Sequence, residues 1–122
     1  MIDFLNAIKF HNILIDNFGG SKGLRDEGAL IAALARPFAT FDQLELYPTP
    51  IEKAAAIFES LIINHPFIDG NKRIAYLLMR ITLLEYDYDI SATQDEKYDM
   101  TIAASKGEYR IEEIKSWIKD NL

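Results

Sequence analysis

The sequence predicts a single all-α domain over residues 1–122. Three observations lead there. Apolar residues recur at helical spacing in six separate segments. Capping residues, prolines and glycines stand where those segments should begin and end. Only one stretch, Phe38 to Pro50, has the mixed character of an extended or looping segment. The length suits one compact domain that buries a core without staples.

Each element has its own warrant. From Asp3 to Phe18 the apolar positions Phe4, Leu5, Ile8, Ile13, Leu14 and Ile15 predict a helix, which Gly19-Gly20 ends. A second helix is expected from about Arg25 to Ala35, with Leu30, Ile31 and Leu34 on one face and Pro37 closing it. Thr49-Pro50-Ile51-Glu52 reads as a capping box with proline at the first helical position. It opens an apolar helix from about Ile51 to Asn64. His65-Pro66 interrupts that helix, because proline disfavours helical geometry in the residue before it.

The helical pattern resumes at about Asn71 and carries Ile74, Ala75, Leu77, Leu78, Ile81 and Leu84 to about Glu85. Tyr86 to Ile90 is a connection. Thr93-Gln94-Asp95-Glu96 is a second capping box, opening a helix to about Ser105. Gly107 breaks it. Tyr109 to Lys119 completes the set, with Ile111, Ile114, Trp117 and Ile118 facing inward.

Composition narrows the function. Hydrophobic residues make up 49% and charged residues 26%, ordinary values for a globular chain. There is no cysteine, so neither a disulfide framework nor a thiolate metal site can form. No stretch is long and apolar enough to span a membrane. Met1-Ile2-Asp3-Phe4 lacks the basic region and apolar run of a secretory signal, so a cytoplasmic location is expected. With 13 basic against 19 acidic residues the net charge is −6, which argues against general nucleic-acid binding.

Chemistry concentrates in residues 64–74. A helix stops, a short loop follows, and a new helix starts almost at once. Gly70 can let backbone approach a ligand closely. The first amides of the following helix lack partners within it and make an anion site. Arg73 adds a fork suited to phosphate oxygens. Asp69 is placed to hold a divalent cation shared with phosphates. His65 matches general-base work near neutral pH. Together these residues describe a nucleotide polyphosphate site with a base beside it. The structural alternatives are plain: Asp69 as a mere N-cap, Lys72 and Arg73 as solvated charges, and Phe67 as a core anchor. His11 is read as a polar end group.

The run His65-Pro66-Phe67-Ile68-Asp69-Gly70-Asn71-Lys72-Arg73 resembles the Fic/Doc signature H-x-F-x-[D/E]-G-N-[G/K]-R at every specified position. Gly23 to Gly28, Leu34 to Pro37, and Ala103 to Glu108 are similar to the short Doc-type members. The resemblance implies a Fic-fold helical bundle of about six helices with a short extended flap near Phe38 to Tyr47. It implies that His65 takes a proton from an acceptor hydroxyl, with Arg73 in the catalytic set. Asp69 would bind Mg²⁺, and Gly70, Asn71, Lys72 and Arg73 would bind the phosphates of ATP.

Lys72, where AMP-transferring members usually carry glycine, and the small size point to the Doc branch. Doc-type members phosphorylate a translation elongation factor and belong to toxin–antitoxin modules, so an antitoxin partner is implied. One departure stands out: the Doc toxin carries alanine where this chain has Gly70. AMP transfer therefore stays open as an alternative, and so does a non-catalytic nucleotide- or partner-binding domain. The family's inhibitory motif [S/T]-x-x-x-E-[G/N] has no clean copy here. Ser91 to Asp95 and Ser116 to Asn121 each carry aspartate in the glutamate position.

Overall fold

A computed structural model describes every residue, Met1–Leu122. Six helices follow in chain order: α1 (Phe4–Phe18), α2 (Glu27–Ala35), α3 (Pro50–Asn64), α4 (Asn71–Leu84), α5 (Gln94–Ser105) and α6 (Ile111–Asp120). A single 3₁₀ turn, Arg36–Phe38, follows α2. It leads into two short antiparallel strands, β1 (Thr40–Phe41) and β2 (Leu44–Glu45), with Thr40 opposite Glu45 and Phe41 opposite Leu44. None of the helices is long and apolar enough to cross a membrane.

The central element is α3. Every residue from Lys53 to Ile62 on it is buried, because α2, α4, α5 and α6 all pack around it. Ala54, Ala55 and Ala56 let neighbouring backbones come close, while Ile57, Phe58 and Leu61 fill the core. Leu30 from α2, Ile74, Leu78 and Met79 from α4, and Ile114 and Ile118 from α6 complete it. Each such fully buried side chain contributes about 2 kcal/mol by removal from water.

Helix starts follow their caps. Asp3 accepts from the Asn6 amide at 2.8 Å. Thr93 and Glu96 form the complete capping box expected, with bonds of 3.1 and 2.9 Å. Thr49 accepts from the Glu52 amide at 3.2 Å, but its hydroxyl instead donates to the Glu52 carboxylate, so that box is only half made.

Several sequence expectations shift. α2 starts at Glu27, not Arg25, because Asp26 caps it by accepting from the Ala29 amide. α6 starts at Ile111, not Tyr109: the amides of Glu108 and Tyr109 both return to the Ala103 carbonyl. Ile31 is exposed and Ala33 takes its place in the core. Trp117 and Ile111 are only partly buried. Phe38 to Pro50 is more ordered than expected, since Asp42 and Gln43 both adopt positive φ and close a tight hairpin.

His11 is the clearest correction. It is not an end group but lies in the middle of α1, on the face formed by Ala7, His11 and Ile15, and is 1% exposed.

Candidate active site

The loop between α3 and α4 is built by three anchors. Phe67 is buried in the core and stacks on the His11 ring, with centroids 3.8 Å apart. Asn71 holds both backbone groups of Phe67: its side-chain oxygen accepts from the Phe67 amide at 3.0 Å and its Nδ2 donates to the Phe67 carbonyl at 2.9 Å. His11 Nε2 meets the Asp69 carbonyl oxygen at 2.7 Å. The loop is therefore tied to α1, to α4 and to the core at once.

The connection between α1 and α2 supplies a fourth brace. Leu24 and Phe67 form an isolated antiparallel bridge, and the Ile68 amide donates to the Gly23 carbonyl at 3.0 Å. The Ser21 amide donates to Asp69 Oδ2 at 3.1 Å, while the Gly70 amide donates to Oδ1 at 2.8 Å. Those two backbone donors, Ser21 first, hold the Asp69 carboxyl below the ordinary aspartate range, so it stays charged. Asp69 is thus not the N-cap of α4. That position is Gly70, at φ 73°, with no side-chain cap. The first-turn amides of Asn71, Lys72 and Arg73 have no partners within the helix and stay open to a ligand.

Six expected residues, His65, Asp69, Gly70, Asn71, Lys72 and Arg73, line one cleft of about 1050 Å³. His65 caps α3 in a left-handed conformation, φ 45° and ψ 62°, and is exposed. Arg73 donates to the Gly19 carbonyl at 3.2 Å and lies over the Phe18 ring, 5.4 Å from its centroid. Arg25, Lys72, Arg73 and Lys97 line the cleft against a single carboxylate, Asp69. A basic pocket therefore sits in an acidic chain, which favours a polyanionic ligand.

The far wall escaped the sequence. Gln94, Lys97, Tyr98 and Thr101 present one face of α5 to the cleft. Their spacing of three and four is visible in the sequence, but no motif marks it. Tyr76 from α4 also lines the cleft, with Lys97 Nζ 5.6 Å from its ring centroid. Its hydroxyl is buried without a partner, and burial pushes it up to about 12. Gly19, Gly20 and Arg25 were also missed as site residues. The Gly19-Gly20 pair carried the signal, but as a helix stop.

The donor set suits a hard cation only in part. No group of three or more His, Cys, Asp or Glu side chains gathers to hold a metal. A lone charged carboxylate beside an anion site fits Mg²⁺, which binds through one or two carboxylates plus substrate phosphates.

Comparison with known proteins agrees with this geometry. A family model described as "Fic/DOC family" matches residues 2–83. Toxin Doc of Mycolicibacterium smegmatis (strain ATCC 700084 / mc(2)155) is 42% identical over 84 residues. That match covers 64% of this chain and 65% of the relative, a little under two thirds of its length.

Proposed function

The chain belongs to the Fic/DOC family, and on that premise we propose that it is a Doc-like toxin of a toxin–antitoxin module. Its reaction moves the γ-phosphoryl group of ATP to a hydroxyl of a target protein, with a translation factor as the target class. The observation that carries this reading is the single cleft that gathers His65, Asp69, Lys72, Arg73 and the free first-turn amides of α4. Lys72 and the relation to Toxin Doc favour the kinase over the AMP transferase.

Each residue has a definite part in that reaction. His65 takes the proton from the acceptor hydroxyl as its oxygen forms a bond to the γ-phosphorus. The bond from that phosphorus to the β-γ bridging oxygen breaks, and ADP leaves with the electron pair. The amides of Asn71, Lys72 and Arg73 receive phosphate oxygens at the positive end of α4. Lys72 and the Arg73 fork add charge where it develops, the main source of catalysis in phosphoryl transfer. Arg73 reaches the phosphates by leaving the Gly19 carbonyl and the Phe18 ring. Asp69 would hold Mg²⁺, which would supply charge neutralisation of the phosphates. Phe41 and Leu44, exposed on the β1–β2 hairpin, receive the target peptide. An antitoxin covers the same cleft.

AMP transfer is the second reading, favoured by one feature: position 70 is glycine, the residue of the AMP-transferring members, rather than the alanine of the Doc toxin.

Controlled expression in bacterial cells tests the toxin reading. Wild-type chain is expected to arrest growth, His65→Ala is not, and one cellular protein should gain phosphate mass in arrested cells. Equal growth inhibition by wild type and His65→Ala would overturn it.

A further inference from the structure

Arg25 stands outside the signature loop, in the connection between α1 and α2, yet it serves the carbonyls that end α3. Its Nε donates to the His65 carbonyl at 2.7 Å, and its Nη2 donates to the Asn64 carbonyl. Terminal carbonyls of a helix lack intrahelical donors, and they carry the negative end of the dipole. A guanidinium matches both needs, because its planar fork can reach two oxygens at once. The same segment takes the next carbonyl too: the amides of Arg25 and Asp26 donate to Pro66 oxygen at 2.8 and 3.0 Å. Three consecutive carbonyls, 64 to 66, are therefore held by two residues.

What lies between those carbonyls is the strained residue of the site. His65 has φ 45° and ψ 62° although it carries a Cβ, a conformation that costs about 1 kcal/mol for an L-residue. Its ring is exposed, and none of the protein's side-chain hydrogen bonds involves it. No hydrogen bond holds the imidazole, so the backbone, which sets where the Cα–Cβ bond points, is what aims it. We propose that Arg25 is the positioning residue of this site: its grip on the Asn64 and His65 carbonyls keeps His65 left-handed and its imidazole turned to the cleft. The kinetic consequence rests on His65 being the base. The conformational claim does not.

The test compares Arg25→Ala and Arg25→Lys in the full chain by NMR and by transfer of label from ATP. The His65 HN–Hα coupling and its Cα and Cβ shifts report the left-handed backbone. In Arg25→Ala they should move to helical or extended values. The transfer rate at saturating ATP should fall about 100-fold, the loss typical of a misplacement of about 1 Å at a catalytic group. The apparent KM for ATP should rise far less than the rate falls, by the loss of one of four cleft cations, and Arg25→Lys should recover part of the rate. A purely structural role would instead lower the rate only in proportion to the folded fraction. If Arg25→Ala does not fold, Arg25→Lys against wild type carries the same comparison, with a smaller shift and rate loss expected. Unmoved His65 signals in the folded variant overturn the proposal, whereas moved signals with an unchanged rate uphold the grip of Arg25 and overturn the part of His65 as base. If wild type transfers no label, the functional reading fails while the NMR result still decides whether Arg25 holds His65.

Discussion

His11 Nε2 lies 2.7 Å from the carbonyl oxygen of Asp69, so the middle of α1 is bonded to the centre of the signature loop. A carbonyl only accepts, so the hydrogen is on Nε2 of His11. The same ring stacks on Phe67 and would lie 3.4 Å from a Cβ on Gly70. One buried imidazole therefore touches three of the loop's successive functional positions.

Replacing it separates these roles. His11→Ala removes a buried ring and strands the Asp69 carbonyl, and should cost about 3 kcal/mol. His11→Phe keeps the stack but strands the same carbonyl against a wider ring, and should cost less, about 2 kcal/mol. Chemical denaturation of the two variants checks the order. Equal costs would contradict the account.

The neighbouring glycines form a matched pair. Gly19 and Gly20 both have positive φ, 87° and 112°, so alanine strains the backbone at either. A Cβ on Gly19 meets nothing within 4 Å, whereas one on Gly20 comes 2.6 Å from Asp69 Oδ2. On the proposal that Asp69 holds Mg²⁺, Gly20→Ala should weaken Mg²⁺-dependent ATP binding by at least about tenfold, the usual effect of disturbing the support of a metal ligand. Gly19→Ala should leave that binding near wild type. Calorimetric titration with and without Mg²⁺ distinguishes them.

Much of this was legible in the sequence. The six helices were, because caps such as Thr93 and Glu96 and the apolar run of α3 are local signals. The loop residues His65 to Arg73 were, since they adjoin one another in the chain. His11 was not: its environment is made by Phe67 and Asp69, more than fifty residues away. Its place at four-residue spacing between Ala7 and Ile15 was the available hint. The flap near Phe38 to Tyr47 was expected from the family resemblance, but its turn was not marked in the residues, because Asp42-Gln43 lacks the glycine that normally announces a hairpin. Arg25 and the α5 wall were hidden because both reach the cleft only through tertiary packing.

The hairpin rests on a buried charge. Lys53 is 4% exposed, and its ammonium donates to Glu45 Oε1 at 2.9 Å and to the Tyr47 carbonyl. Glu45→Ala leaves that ammonium without its counter-charge and should cost about 2 kcal/mol, below the fully buried range because Glu45 is half-exposed. Lys53→Met removes the charge along with its need for a partner and should be close to neutral for global stability. It should still free the hairpin, seen as faster hydrogen exchange at the Leu46 amide, which donates to the Ala39 carbonyl. Unchanged exchange in Lys53→Met would contradict this view of the hairpin.

Acid should reach Asp89 late, after the ordinary carboxylates have taken their protons. Its paired hydrogen bonds from Arg80, at 2.8 and 3.0 Å, and then the Ile90 amide lower its carboxyl from 3.8 to about 2. A depressed carboxyl stabilises the fold above its unfolded value. That contribution is present above pH 3.8 and is lost as pH falls from 3.8 to about 2. The pair is exposed, so salt should weaken it. NMR titration of the Asp89 carboxyl should show a midpoint near 2, rising toward 3.8 in Arg80→Ala. An unshifted midpoint in Arg80→Ala would contradict the assignment.

On the proposed reading, this cleft transfers the γ-phosphoryl group of ATP with His65 as base. Purified protein, Mg²⁺ and a cell lysate, given γ-labelled and α-labelled ATP in parallel with His65→Ala as control, test it most directly. The account predicts protein label from the γ position alone, absent in His65→Ala. Label from the α position would contradict it and assign AMP transfer to the same site.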